Sequence, residues 1–178
     1  MKRLIKAFLV PIMILGFLTG CSSIRVDDYD GRKPEMVPEQ FFSGDLTAHG
    51  IIKNRAGKVL RYFNADIKAY WKGHVGTLEE DFVFDDGETQ RRVWTITRQS
   101  DGSYIGTAGD VVGEAKGEVA GNSMFLAYEL VVPYGDGTIH LMIDDRMYLV
   151  SQDMLINEST MHKFGLRVGE INLVIRKL

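Results

Sequence analysis

From Phe41 to the C-terminus the chain alternates apolar and polar residues with a period of two, in segments separated by glycine-bearing turns. Those turns are Arg55-Ala56-Gly57-Lys58, Lys72-Gly73-His74, Asp85-Asp86-Gly87-Glu88, Ser100-Asp101-Gly102-Ser103, Gly121-Asn122 and Tyr134-Gly135-Asp136-Gly137. Successive side chains of a strand point to opposite faces, so the pattern predicts consecutive β-hairpins. The expected strands cover about residues 42–54, 58–71, 75–84, 89–98, 103–109, 110–119, 123–132, 138–150 and 165–177, while 151–164 reads as either a short strand or a turn of helix. An antiparallel all-β meander of about 8–10 strands closes most economically into an up-and-down barrel, because closure removes unpaired edges. A two-sheet β-sandwich of the same strands is the alternative.

The same period sorts each strand into an inward and an outward row. Between 59 and 71 the odd row is Val59, Arg61, Phe63, Ala65, Ile67, Ala69 and Trp71, whereas the even row carries Asn64, Asp66 and Lys68. Inward rows also run through Leu78, Glu80, Phe82 and Phe84; through Arg92, Trp94 and Ile96; and through Ile139, Leu141, Ile143, Asp145, Met147 and Leu149. Four charges thus come inside with the apolar residues: Arg61, Glu80, Arg92 and Asp145. Buried charges persist when paired and hydrogen-bonded, so these four are expected to meet one another or to line a wet mouth, as an ionic network or as the site of a ligand head group. Between Gly109 and Gly121 the odd row, which includes Gly113 and Gly117, holds nothing larger than valine. Such a wall leaves room for a ligand, for a tryptophan from elsewhere in the barrel, or for a bend.

Ahead of the alternating region the pattern is different. Lys2, Arg3 and Lys6 precede an apolar run from Ala7 to Thr19, too short to cross a hydrocarbon core of about 30 Å and typical of a secretory signal. It ends Leu18-Thr19-Gly20-Cys21, which resembles the lipobox of bacterial lipoproteins and coincides with the single cysteine of the chain. Residues 1–20 therefore read as a lipoprotein signal peptide, with Cys21 the lipidated first residue of the mature chain. Ser22 stands where retention in the inner membrane usually calls for Asp, which favours the periplasmic face of the outer membrane. Residues 21–40, polar and interrupted by Pro34 and Pro38, read as a lipidated flexible tether, and 41–178 as a single barrel domain. Losing three cations leaves 18 basic against 24 acidic residues, so a nucleic-acid partner is not expected.

Catalytic signatures are missing from the sequence. The glycines lack the lysine and the strand-turn-helix setting of a phosphate-binding loop, no Gly-x-Ser-x-Gly elbow occurs, and the four histidines fall at 49, 74, 140 and 162 without ligand spacing. Neighbouring acids such as Glu79/Glu80 and Asp144/Asp145 point to opposite faces of a strand. The sequence therefore implies neither an enzyme nor a cofactor or metal.

The stretches Phe41-Phe42-x-Gly44-x-Leu46-x-Ala48-x-Gly50, Trp71-x-Gly73, Gly76-Thr77-Leu78-x-Glu80-x-Phe82, Asp85-Asp86-Gly87-Glu88, Arg92-x-Trp94, Tyr104-x-Gly106-Thr107-Ala108-Gly109-Asp110-Val111, Asp144-Asp145-x-Met147-Tyr148-Leu149 and Phe164-Gly165-x-Arg167-x-Gly169-Glu170 stand out along the chain. Together they resemble one family, the lipocalin-like Gram-negative lipoproteins called domain of unknown function 3833. Arg146 departs from the tryptophan expected at that place, on an outward position. The resemblance implies an envelope lipoprotein and carries no activity.

Two functions follow from this reading. In one, the anchored barrel binds a lipid or another apolar or amphipathic small molecule, with Arg61, Trp71, Glu80, Arg92, Trp94, Gly113, Gly117 and Asp145 as the ligand-binding residues. In the other, the barrel is filled by its own side chains and its outer surface docks an envelope protein. An enzyme using Glu80 and Asp145 is the least supported, because a nucleophile is lacking.

Overall fold

The computed structural model describes residues 23–178; the signal segment and Cys21 lie outside the described residues. Ten strands, each antiparallel to its neighbours, form a closed barrel: β1 (Gly44–Asn54), β2 (Val59–Lys72), β3 (Val75–Phe84), β4 (Thr89–Arg98), β5 (Tyr104–Thr107), β6 (Val111–Ala120), β7 (Ser123–Tyr134), β8 (Gly137–Ser151), β9 (Met154–Lys163) and β10 (Leu166–Lys177). Consecutive strands pair, and β10 returns to β1 with Leu46 opposite Lys177 and Asn54 opposite Gly169. The expected up-and-down barrel is therefore the fold, and the sandwich is not.

The segment left ambiguous by the sequence is a turn followed by β9. Its inward row is Leu155, Asn157 and Ser159, all buried, and its outward row includes the exposed Ile156. Polar residues inside and an apolar one outside blur the alternation that marks the other strands. In β2 the inward row is clear, with Phe63, Ala65, Ile67 and Ala69 buried between exposed Asn64, Asp66 and Lys68.

One end of the barrel is closed by the segment read as a flexible tether, and that expectation needs correction. After a single 3₁₀ turn at Val26–Tyr29, the chain crosses to a one-turn helix, α1 (Pro38–Phe41); Val26, Met36 and Pro38 of the expected tether are buried, as are Phe41 and Phe42 that follow it. Hydrogen bonds to its backbone hold it: the Met36 N–H donates to the Gly121 carbonyl at 2.8 Å, and the Lys177 side-chain Nζ donates to the Gln40 carbonyl at 2.6 Å. Tyr29 packs edge-on against Phe125, with ring centroids 5.7 Å apart, and lies against Tyr148. The approach at the β6–β7 turn is close enough that a Cβ on Gly121 would overlap the Tyr29 carbonyl oxygen. The segment wraps over the barrel end instead of joining the sheet, so its few apolar residues contact the core at irregular intervals and show no period in sequence.

Two further departures trace to backbone irregularity. β5 ends at Thr107 and the chain bends through Ala108–Asp110, so the row expected to run on to 109 stops early. The pairing of β6 with β7 then slips between Val112 and Lys116, where Gly113 has φ +68°. A bulge of this kind puts an extra residue into one strand and re-aims the side chains around it.

Candidate ligand-binding cavity

The barrel interior is not filled. A cavity of about 630 Å³ opens at the end opposite α1, within the size range of small-molecule sites. Near the closed end its wall is apolar, with Ile67, Leu78, Trp94 and Leu126; toward the mouth it is aromatic and aliphatic, with Phe82, Phe84, Leu130 and Leu141. Between these zones a polar band crosses the wall from β3 to β9, made by Glu80, Arg92, Asp110, Tyr128, Asp145, Asn157 and Ser159.

Glu80 and Arg92 are direct cross-strand partners on β3 and β4, as the two inward rows require. They are not, however, each other's main contact. Arg92 gives its Nε and Nη2 to Asp110, at 2.9 and 2.6 Å to Oδ2, and only Nη1 approaches Glu80, at 4.0 Å. A two-toothed guanidinium–carboxylate bond of this kind is stronger than a simple ion contact. Asp145 accepts from the Ser159 hydroxyl at 2.7 Å and from the Asn157 amide, which also donates weakly to the Arg146 carbonyl. Side-chain exposure is 13% for Glu80, 18% for Arg92 and 21% for Asp110.

One cation therefore faces three carboxylates in this band. Burial pushes the Glu80 carboxyl up to about 7, with Arg92 opposing and the charges of Asp110 and Asp145 adding to the rise. Burial also raises Asp145, against the hydrogen bonds from Asn157 and Ser159 and the charge of Arg92. Tyr128 is held well above its ordinary value, first by burial and then by the charge of Asp145. Burial disfavours the Arg92 charge, and Glu80 and Asp110 more than restore it.

Of the residues that the sequence points to, Glu80, Arg92, Trp94 and Asp145 line the cavity together, and Trp94 stands edge-on to Tyr128 with centroids 5.4 Å apart. Arg61 lines the mouth, apart from the band: its guanidinium bonds Asp86 at 2.7 Å and Glu88 at 3.0 Å and lies 3.8 Å above the Phe84 ring. Three expectations are corrected. Trp71 belongs to the closed end, where Nε1 donates to the Phe42 carbonyl at 2.8 Å and the ring covers Gly76. Gly113 is exposed at the bulge and faces away from the interior. Gly117 does face inward, but a Cβ there would meet Tyr104 Cβ at 3.2 Å and Met124 Cε at 3.3 Å, so protein atoms already occupy its space.

Asp110, Tyr128, Asn157 and Ser159 join the band without having been expected there. Tyr128 follows Met124 and Leu126 in an inward row of β7, and Asn157 and Ser159 follow Leu155 in β9, so the period of two carries a signal for these three. Asp110 has none, because it turns inward only through the bend after β5.

A closed antiparallel barrel, shut at one end by an N-terminal helical turn and open at the other onto a lumen with a polar band, is a lipocalin-like β-barrel. The chain belongs to the DUF3833 family of proteins of unknown function, whose profile matches residues 15–177. No curated protein matches the sequence. Among solved structures the chain is similar to the S-type phycobiliprotein lyase CPES from Guillardia theta, with a TM-score of 0.48 and 13% identity over 87% of this chain and 99% of that one.

Proposed function

We propose that the protein is a non-enzymatic binding lipoprotein, anchored through Cys21 to the periplasmic face of the outer membrane and holding one amphipathic small molecule in its barrel. The open cavity of about 630 Å³, apolar above and below a polar band, carries this reading. A barrel packed with its own side chains would leave no such space, and this disfavours a purely structural role. The signal-like run before Cys21 and the lone cysteine at the lipobox support the anchor.

The full chain, kept soluble by a non-ionic amphipathic polymer, should bind the neutral fluorophore N-phenyl-1-naphthylamine saturably at one site, with the probe brightening and the emission of Trp94 falling by energy transfer. Absence of saturable binding would leave the cavity without a ligand role. For the anchor, cells fed labelled palmitate should label the wild type and not Cys21→Ala, which should accumulate as precursor; equal labelling of the two would remove the lipoprotein assignment.

A further inference from the structure

The polar band is unbalanced in a particular direction. Its one cation, Arg92, is committed to Asp110 through Nε and Nη2. Among the described residues Glu80 accepts no hydrogen bond, and its nearest cation stands 4.0 Å away. Asp145 is met only by neutral donors, Asn157 and Ser159. The cation at the mouth, Arg61, bonds Asp86 and Glu88 through Nη2 alone, with its buried Nε left without a partner among the described residues, and it lies apart from Glu80 and Asp145. Two carboxyl groups thus face the lumen within the band with acceptor capacity in hand, while the one guanidinium of the band is already bonded to Asp110 and the other lining guanidinium, Arg61, stands apart at the mouth. A buried carboxylate without a cation is costly, and a ligand that supplies one is held by a charge-assisted bond in a medium of low dielectric. A fatty acid in the same place would bring a further negative charge to Glu80 and Asp145.

Resting on the reading of the cavity as a ligand site, we propose that its ligand is a cationic amphiphile: an ammonium or amidinium group seated at Glu80 and Asp145, on an apolar body lying against Leu78, Trp94 and Leu126 toward the closed end. Arg92 then acts as a positioning residue, which keeps Asp110 from competing for the ligand's cation. Tyr128, on the same band, offers its hydroxyl as an acceptor to a second N–H of the head group.

The test uses three ligands of one chain length, decylamine, decanol and decanoate, each displacing N-phenyl-1-naphthylamine from the full chain at pH 7.5. The amine should displace the probe at a concentration about tenfold or more below that needed for decanoate, the size expected of a charge-assisted bond gained against a like charge added. Glu80→Gln combined with Asp145→Asn should abolish that preference, whereas Glu114→Gln, on the exposed face of β6, should keep it. Decanoate binding as well as the amine, or an amine preference that survives the double substitution, would overturn the assignment while leaving the cavity a binding site. A probe that does not bind saturably at all would instead overturn the binding function itself. Should the double variant fail to fold, the ranking in the wild type and in Glu80→Gln alone decides between the same outcomes.

Discussion

Replacing Arg92 with methionine will destabilise the barrel by about 3–5 kcal/mol, the usual cost of deleting one member of a buried ionic group while its partners stay charged. Asp110 would lose both of its bonds to the guanidinium, and Glu80 and Asp145 would lose the only positive charge in the polar band. Lys68→Met, on the exposed row of β2, should change stability by less than about 1 kcal/mol. Arg61→Met should fall between the two, because Asp86 and Glu88 are 53% and 59% exposed and water can solvate them once the guanidinium is gone. Urea titrations of the three variants measure the order. A second substitution, Asp110→Asn, should return part of the loss in Arg92→Met by removing the stranded charge. If Arg92→Met and Lys68→Met unfold at the same midpoint, the lumen is not organised around Arg92.

The second large effect concerns pH. Glu80 rises from an ordinary 4.5 to about 7 in the folded barrel, chiefly through burial. Between these values the folded state holds a proton that the unfolded chain has released, so stability falls as pH rises through that window. The full span corresponds to about 3 kcal/mol, lost between roughly pH 4.5 and 7 and not recovered above it. Asp145, raised for the same first reason, adds a loss of the same sign. Asp86, Asp101, Asp153 and Glu170 are lowered by their hydrogen bonds and act in the opposite direction, but only at more acid pH. The difference between the wild type and Glu80→Gln isolates the first group. The variant should be the more stable protein at pH 8, and the gap should shrink as pH falls toward 4.5. A gap that is absent at pH 8, or that widens toward pH 4.5, would show that Glu80 is not held in its protonated form by burial. A side chain whose removal stabilised the empty barrel would be one kept for something other than stability, which would link the pH effect to the proposed ligand site.

Strand positions and their inward rows are legible in the sequence itself, since alternation with a period of two survives wherever one face of a strand meets an apolar interior and the other meets water. That alternation is enough to place Glu80, Arg92, Trp94 and Asp145 on the lumen side. It fails where the lumen is itself polar: Asn157 and Ser159 erase the contrast that defines β9, because they serve Asp145 and not an apolar core. It fails again at the backbone irregularities, where one bulge carries Gly113 out of the inward row and one bend brings Asp110 in. The N-terminal segment carries too little apolar periodicity to reveal that it closes the barrel, although its bonds to Gly121 and Trp71 do so. By itself, then, the sequence determined the class of fold and the inward set of charges, because both follow from local side-chain direction along a strand. Which charges pair, and which two carboxylates face the lumen without a bonded cation, was decided only by the closed barrel. Those relations join groups on different strands, whose spacing depends on register, bends and the packing of the closed end.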